Sequence, residues 1–284
     1  MHHAYALTQR VFRPAVNPPS ELTGDAKPIW LFFRGYRLLV DERGKGSQLP
    51  VAQSPEELGL FAEHAQFLGW MDDSPCYTAD VAANSCPPEG WSFVGLRSLL
   101  DVLETDLFWL AGRAVQIVDW DRTHQYCGRC STPTVYHTRD RARVCPDCGL
   151  TQYPRLSPAI IVAVTRDDQI LLARSHRHPP GRYSVLAGFV EPGETLEECV
   201  AREVKEEVDL DVENIRYFGS QPWPFPHSLM IAFTCEAPHG DITLDSSEMA
   251  EAGWFRAGAL PPVPPPPTIS RRLIDWFVNG GSSG

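Results

Sequence analysis

The stretch from Gly188 to Leu210, GFVEPGETLEECVAREVKEEVDL, decides how the C-terminal half of the chain folds. Thr195 is followed three residues later by Glu198, which is the spacing of a capping box. In such a box each side chain accepts a hydrogen bond from the other residue's backbone N–H. The sequence therefore predicts a turn at residues 191–194 and a helix that starts at Thr195 and runs to about Val208.

Three glutamates gather on one face of this predicted helix. Glu203, Glu206 and Glu207 occupy positions i, i+3 and i+4, which are neighbours on a helix surface. The apolar stripe of the helix starts on almost the same face (Leu196, Val200, Val204). Carboxylates held beside an apolar core are costly unless a cation compensates them, and Mg²⁺ and Mn²⁺ prefer such hard oxygen ligands. The pattern indicates a metal site with Arg202 beside it, and the alternative is a charged helix that holds no metal.

Four cysteines form two tight pairs, Cys127 with Cys130 and Cys145 with Cys148. This is the spacing of a zinc ribbon, in which each pair places two thiolates on one Zn²⁺ ion and the second pair completes a tetrahedron. Four thiolates leave no open coordination position, so the predicted zinc is structural. Two redox-active pairs are the alternative, but no thioredoxin-like pattern surrounds them.

Apolar segments on both sides of the cysteines predict a mixed fold. Residues 29–33 and 37–40 indicate strands, and apolar residues at helical spacing from Gly95 to Trp120 indicate one or two packed helices. Further strands are predicted at residues 158–165, 169–174, 183–187, 215–219 and 229–236, and a helix at 269–278. The fold class is α/β (α+β), with a mixed N-terminal domain at residues 1–120, a ribbon at 121–153 and a layered domain at 154–284.

Composition and charge exclude several kinds of function. The chain has 284 residues and a formal net charge of −11, with no block of five or more basic residues. This charge argues against non-specific binding of nucleic acid through bulk electrostatics. It is compatible with a phosphate-bearing substrate, because bound divalent cations reverse the local field. The sequence shows no long apolar run and no targeting signal, so we expect a cytoplasmic protein that makes no membrane contact.

The acidic stretch resembles the Nudix hydrolase box. Gly188, a glutamate six residues later and the run Arg202-Glu203-Val204-Lys205-Glu206-Glu207 match its fixed positions. The box ends in a glycine, where this chain has Asp209. Aspartate tolerates left-handed backbone geometry, so it can partly replace the glycine at the helix end. The resemblance implies a Nudix α/β/α sandwich that hydrolyses a nucleoside diphosphate linked to another moiety.

Features outside the box make the chain similar to the bacterial NADH pyrophosphatase family. The ribbon precedes the Nudix domain, and the stretch SQPWPFPHS, from Ser220 to Ser228, follows the box at a short distance. The similarity runs from about Gly95 to the end of the chain. It implies hydrolysis of the pyrophosphate of NAD(H) to nicotinamide mononucleotide and AMP, and in related members removal of NAD caps from RNA 5′ ends. It also implies a homodimer whose active site borrows residues across the interface.

The same resemblance implies the site residues. The ligands of Mg²⁺ or Mn²⁺ are Glu203, Glu207 and Glu248 with the Ala187 carbonyl, and Glu206 is a supporting ligand or base. Arg202 orients the glutamates, and the proton of the attacking water goes to Glu206 or Glu248, between which the sequence does not choose. Glu251 precedes the same strand as Glu248, and only the resemblance selects Glu248. The implied substrate contacts are Tyr153, Phe189, Gln221, Pro222, Trp223, Pro224, Phe225, Pro226, His227, Ser228 and Ser270.

The stretch SQPWPFPHS carries the prediction about the substrate. Proline at alternate positions removes backbone donors and fits neither a helix interior nor a central strand, so the stretch is predicted to be a stiff loop. Trp223 and Phe225 would form an apolar wall that stacks on a flat heterocycle such as nicotinamide or adenine. Gln221 and Ser228 would supply hydrogen bonds at its edges.

Two other functions remain open on the sequence alone. One is a Nudix enzyme that acts mainly on ADP-ribose or another nucleoside diphosphate derivative. The other is a zinc-ribbon protein with an inactive Nudix fold, which would bind nucleic acid or have a regulatory role. The presence of all the box acids, Glu194, Glu203, Glu206 and Glu207, favours an active hydrolase.

Overall fold

The computed structural model describes residues 11–18, 27–42, 48–176 and 180–281, without the side chain of residue 63. The chain divides into two units, residues 1–155 and 156–284. The first ten residues and residues 282–284, on which part of the expectation about targeting signals rests, lie outside the described residues.

In the first unit, the apolar runs of the N-terminal third form a six-stranded sheet beside one long helix. Its strands are β1 (Phe12–Pro14), β2 (Ile29–Arg34), β3 (Arg37–Asp41), β4 (Ala62–Met71), β5 (Ser74–Val81) and β6 (Trp91–Gly95). They follow the order β1-β4-β5-β2-β3-β6. The helical spacing after Gly95 becomes a 3-10 turn at Leu96–Leu99 and helix α1 at Thr105–Thr123. Helix α1 packs against β2, β4 and β5, so its apolar residues complete the core of this unit.

A small three-stranded sheet follows α1 in the same unit. It consists of β7 (Val135–Tyr136), β8 (Arg143–Val144) and β9 (Thr151–Gln152). A buried ion pair attaches it to the helix, because Arg143 Nη1 donates to Asp121 Oδ1 over 2.6 Å and both side chains are 5% exposed. Arg143 also donates to Thr134 Oγ1 over 2.7 Å and to Gln125 Oε1 over 3.1 Å. The guanidinium therefore has partners for its charge and its donors although it lies away from water.

The second unit contains a mixed sheet built around one central strand. Its strands are β10 (Ser157–Arg166), β11 (Gln169–Ser175), β12 (Leu186–Phe189), β13 (Glu213–Trp223), β14 (Ser228–Glu236) and β15 (Met249–Arg256). The order is β13-β14-β10-β11-β15, and β12 pairs with β10 as well. Strands β10 and β14 are parallel along their whole length. On its other side β10 pairs with β12 near its start and with β11 only at its end, so its start lies between β14 and β12.

Helices cover both faces of this sheet. Helix α2 (Leu196–Val208) packs with Ile160, Val162 and Val164 of β10. Helix α3 (Ile269–Val278) packs with Ile161 and Ala163, which point to the opposite face because side chains alternate along a strand. The second unit is thus an α/β/α sandwich, and the predicted mixed α+β fold class is confirmed. In the described part of the chain, no helix has the length and apolar character needed to cross a membrane.

Two expectations about strand boundaries were wrong. The stretch from Ser220 was predicted to be entirely loop, but β13 runs through Trp223 and β14 begins at Ser228. A proline is tolerated here because β13 is the edge strand of the sheet, where a missing N–H breaks no ladder bond on the open side. Only residues 224–227 form the turn between the two strands. The third predicted strand of this unit begins at Leu186 rather than Tyr183, because Ser184 pairs with Ala173 before the chain crosses to β10.

Candidate active site and zinc centre

The acidic helix α2 has the ends that the sequence predicts. Thr195 Oγ1 accepts from the backbone N–H of Glu198 over 3.2 Å, and Glu198 Oε2 accepts from the backbone N–H of Thr195 over 2.8 Å. At the other end Asp209 has a φ of 57°, and its N–H donates to the Lys205 carbonyl over 3.0 Å. Asp209 Oδ1 also lies 2.8 Å from Lys205 Nζ. Aspartate therefore adopts the left-handed geometry that a glycine would provide.

Arg202 joins the beginning of the box to its end. Its Nε and Nη2 donate to the carboxylate of Glu194, and the Nη2 distance is 2.9 Å. Its Nη1 donates to Glu203 Oε1 over 2.9 Å and to Glu206 Oε2 over 3.0 Å, and its Nη2 also donates to the Phe189 carbonyl over 3.0 Å. The hydrogen bonds from Arg202 to Glu194, helped by the backbone N–H of Glu191, hold the pKa of Glu194 down to about 2. Arg202 thus holds three acids and the end of β12 in one arrangement.

Glu207 lies at the centre of the acidic group and is almost completely buried. The residue is 7% exposed, and its Oε2 has no hydrogen-bond partner in the described part of the chain. Burial raises the pKa of Glu207 to about 8, and the charges of Glu203, Glu248 and Glu206 add to the shift. Burial also raises the pKa of Glu203, against the hydrogen bond from Arg202. A buried carboxylate without a partner is costly, so this position calls for a cation.

Gly188 is required by the position of Glu203. A Cβ built on Gly188 would overlap the carboxylate of Glu203, so the carboxylate lies directly on the backbone of β12. Gly188 pairs with Ile160 of β10, which fixes its place in the sheet. The first glycine of the box therefore leaves room for one of the candidate metal ligands.

The structure distinguishes Glu248 from Glu251. Glu248 is an exposed residue in the turn before β15, and its charge contributes to the raised pKa of both Glu203 and Glu207. Glu251 is engaged elsewhere, because Arg174 Nη2 donates to its Oε1 over 2.6 Å and the Tyr183 hydroxyl donates to its Oε2. His176 holds the turn that carries Glu248: its N–H donates to the Glu248 carbonyl over 3.2 Å, and its Nε2 lies 3.1 Å from the Ser246 carbonyl. The geometry favours Glu248 as the fourth acid, and nothing in the sequence pointed to His176.

The donor set fits a hard divalent cation. Glu203, Glu206, Glu207 and Glu248 offer only carboxylate oxygens, which Mg²⁺ and Mn²⁺ prefer, and the unpartnered Oε2 of Glu207 is the atom that most needs a cation. Ala187 is an exposed residue of β12, one position before Gly188. Within the described ranges, the carboxylates are not gathered as tightly as the four cysteines, which alone have all their ligand atoms within 4.8 Å of one another.

The four cysteines form a preorganised zinc site. The Sγ atoms of Cys127 and Cys148 lie 3.6 Å apart, and those of Cys130 and Cys145 lie 3.4 Å apart. A tetrahedral Zn²⁺ with bonds of roughly 2.3 Å separates its sulfur ligands by roughly 3.8 Å, so little movement is needed to bind the ion. Backbone N–H groups of Arg129 and Cys148 donate to Cys127 Sγ and Cys145 Sγ, each over 3.4 Å. These bonds lower the pKa of both thiols and favour the thiolate that a metal requires.

The aromatic candidates lie at the tip of the β13–β14 hairpin. The rings of Trp223 and Phe225 are 5.0 Å apart and nearly perpendicular, so each ring fixes the other. His227 Nδ1 lies 3.1 Å from Ser157 Oγ, which anchors the turn to the start of β10. Pro222 and Pro226 are exposed, whereas Pro224 is buried.

The other candidate substrate contacts differ in how far they are exposed. Gln221, Ser228 and Ser270 are buried, and Ser270 Oγ donates to Thr268 Oγ1 over 3.1 Å. Phe189 is 57% exposed at the end of β12. Tyr153 is 59% exposed at the end of the first unit, next to β9.

Phe189 and Trp223 point to the same face of the sheet. Gly188 faces Glu203 on the α2 side, so its neighbour Phe189 faces the α3 side. Trp223 is paired with Ser228, two residues before Met230, whose side chain packs on the α3 side. Between the two aromatics β10 presents Ala159, which is opposite both Phe189 and Met230. The two aromatic side chains therefore lie on one face at the end of the sheet where β10 begins, with Ala159 and Met230 on that face between their strands.

The α/β/α layers and the clamped acidic helix define a Nudix hydrolase domain. Three family models match the chain: the NUDIX domain at residues 155–277, the NADH pyrophosphatase zinc ribbon domain at 122–153, and the NADH pyrophosphatase-like rudimentary NUDIX domain at 27–120. The zinc ribbon was predicted from the cysteine spacing alone, and its family match confirms it.

Relatives of known name match over most of the chain. The NAD-capped RNA hydrolase NudC of Deinococcus radiodurans is 45% identical over 267 residues, which cover 90% of this chain and 92% of that protein. The protein of the same name from Pseudomonas fluorescens Pf-5 is 46% identical over 224 residues, covering 78% of this chain and 80% of that one. A solved NUDIX hydrolase from Nitrosomonas europaea is 24% identical, with a TM-score of 0.41, and the match covers 48% of this chain and 80% of that one. The chain belongs to the NudC family of Nudix hydrolases.

Proposed function

We propose that this protein hydrolyses the pyrophosphate of NAD(H) to nicotinamide mononucleotide and AMP, and removes NAD caps from RNA 5′ ends. The relatives that match most of the chain are named NAD-capped RNA hydrolases. The observation that carries the proposal is the buried, unpartnered Glu207 oxygen beside three further carboxylates and one clamping arginine. That arrangement is costly to keep unless a cation and a charged substrate complete it.

Mg²⁺ or Mn²⁺ would be held by Glu203, Glu207 and Glu248 with the Ala187 carbonyl, and Glu206 would support them. When bound, the ion neutralises pyrophosphate charge and makes an attacking water more acidic. Arg202 holds the carboxylates of Glu203 and Glu206 in place, so the acids need no rearrangement when the substrate arrives. Glu206 or Glu248 would then take the proton of the water. The glutamine variant of each residue tests which one is the base, because only replacement of the base should remove the acidic limb of the pH–rate profile.

The aromatic residues at the start of β10 would hold a flat ring of the dinucleotide. Trp223 and Phe189 face the same side of the sheet, with Ala159 and Met230 on that face between their strands. The perpendicular packing of Trp223 and Phe225 keeps the indole from rotating freely, which lowers the entropy lost when a ring stacks on it. Ser228 and Ser270 complete the proposed set of contacts within the second unit, and Tyr153 stays a separate prediction that the family resemblance implies.

A substrate comparison tests the proposal. Turnover of NADH, ADP-ribose and a 5′-NAD RNA is measured with Mg²⁺ and with Mn²⁺. We expect NADH and the capped RNA to be hydrolysed, and ADP-ribose to be a poorer substrate. Faster turnover of ADP-ribose than of NADH would favour the alternative Nudix specificity instead.

Two variants make the comparison specific to the site. Glu207→Gln removes a metal ligand with little change in shape, and we expect it to lower kcat by about a hundredfold or more. Trp223→Ala removes the stacking surface, and we expect the KM for NADH to rise about tenfold. Full activity of Glu207→Gln would refute the metal assignment, and an unchanged KM of Trp223→Ala would refute the stacking role.

The assembly and location of the protein are also proposed. The family resemblance implies a homodimer, which size-exclusion chromatography with light scattering would detect as twice the chain mass of 31.7 kDa. A cytoplasmic location is part of the proposal, and fractionation of the source cells tests it.

A further inference from the structure

Gln221 is completely buried, and both ends of its amide are bonded to the backbone of a distant segment. Its Nε2 donates to the Pro267 carbonyl over 2.9 Å, and its Oε1 accepts from the Ile269 N–H over 2.8 Å. A carbonyl can only accept and a backbone N–H can only donate, so the orientation of the amide is fixed by its partners. With an exposure of 0%, the side chain has no surface on which a substrate can bind.

These two bonds tie β13, which carries Trp223, to the segment that begins α3, which carries Ser270. Gln221 stands two residues before Trp223 on β13, so both side chains point to the same face of the sheet. Ile269 is the first residue of α3 and directly precedes Ser270, the substrate candidate on that helix. The segment is also tied internally, because Thr268 Oγ1 donates to the Pro265 carbonyl over 2.8 Å and accepts from the Arg271 N–H over 3.3 Å.

We infer that Gln221 is a positioning residue, which sets the spacing between Trp223 and the start of α3 and thereby the width of the ring pocket. This inference rests on the proposed function, because it takes that pocket to bind a ring of NAD(H). The family resemblance implies that Gln221 contacts the substrate directly, whereas the inferred role of Gln221 is indirect. Through these two bonds the amide links the hairpin strand to residues 267–269.

The decisive variant is Gln221→Met, which keeps the length and approximate volume of the side chain and removes both bonds. We expect the KM for NADH to rise about tenfold while kcat changes less than about threefold, because the bonds act on ring binding and not on the acids. The control is Thr165→Val, which removes the bond from Thr165 Oγ1 to the Cys235 carbonyl at the opposite end of the same sheet.

A double-mutant cycle separates positioning from a general loss of stability. If Gln221 acts through the tryptophan, Gln221→Met should have almost no further effect on KM in a protein that already carries Trp223→Ala. Equal factors in both backgrounds would show that the two residues act independently and would overturn the inference. An unchanged KM in folded Gln221→Met would overturn it as well.

A failure of this inference can be told apart from a failure of the proposed function. Failure of the wild type to hydrolyse NADH would refute the proposed substrate. The same cycle, measured with whichever dinucleotide pyrophosphate the wild type does hydrolyse, then still decides the role of Gln221.

Discussion

The carboxylate of Glu203 rests directly against the α-carbon of Gly188, in the space that any other residue would fill with its Cβ. Gly188→Ala should therefore displace Glu203 without touching another acid. We expect kcat to fall about a hundredfold, since small misplacements of catalytic groups have effects of that order. Steady-state kinetics at saturating Mg²⁺ would measure the loss.

A matched control for this prediction is Gly258→Ala. No atom lies within 4 Å of a Cβ built there, so the variant should keep wild-type kinetics. Normal activity of Gly188→Ala would mean that Glu203 can move without consequence and is no metal ligand.

The stability of the metal-free protein should depend on the protonation of Glu207. Its pKa is raised from 4.5 to about 8, so the folded state binds this proton more tightly than the unfolded state does. The resulting stabilisation is complete below pH 4.5 and is lost as the pH rises through about 8. We expect the Tm measured in chelator to fall over this range because of Glu207, and Glu207→Gln to lessen the fall.

The same carboxyl couples metal binding to proton release. A ligand must give up its proton before it can bind a cation, so affinity for Mg²⁺ or Mn²⁺ should rise with pH up to about 8. Calorimetric titrations in buffers with different ionisation enthalpies would count the released protons. Equal affinity at pH 6 and pH 8 would contradict a protonated Glu207.

Asp209 should be exchangeable for the glycine that usually ends the box. The residue already has a φ of 57°, so Asp209→Gly relieves strain and loses only an exposed pair with Lys205. We expect the free energy of unfolding to change by less than about 1 kcal/mol. Asp209→Ala keeps the strain and loses the pair, and denaturant titration should show it to be the less stable variant.

The ion pair between Asp121 and Arg143 should govern how firmly the ribbon keeps its zinc. Asp121→Ala leaves a buried guanidinium without its charge partner, and we expect a loss of about 3–5 kcal/mol in the first unit. Zinc release to a chromogenic chelator should be faster in this variant.

The control for the ion pair lies on the same helix. Asp119 pairs with Arg122 over 2.7 Å at a more exposed position, with side chains 20% and 36% exposed. Asp119→Ala should cost less than about 1 kcal/mol and leave zinc release unchanged. Equal effects of the two variants would show that burial of the Asp121 pair has no special importance.

Local chemistry made part of the fold predictable from the sequence. The capping box of Thr195 and Glu198, the limits of α3 and the clustering of the four cysteines depend on residues close in the chain. Each is specified by spacing and side-chain type alone. The left-handed geometry of Asp209 could be anticipated for the same reason.

The structural features that the sequence did not predict depend on contacts between residues that are far apart in the chain. Proline was taken to end the strand before Ser220, but the place of β13 at the edge of the sheet allows Pro222 to continue it. The bonds of Gln221 reach residues 46 and 48 positions away, and those of His176 reach the turn around Glu248. No local pattern encodes such partners. The role of each predicted site residue in catalysis stays a prediction until the variants above are measured.

The salt link between Asp121 and Arg143 makes the end of α1 part of the support of the ribbon. Arg143 lies on β8 and its partner is the last-turn aspartate of α1, so a fragment that starts after Asp121 lacks the counterion of this guanidinium. A portable zinc module cut from this chain should therefore include the end of α1 as well as the two cysteine pairs.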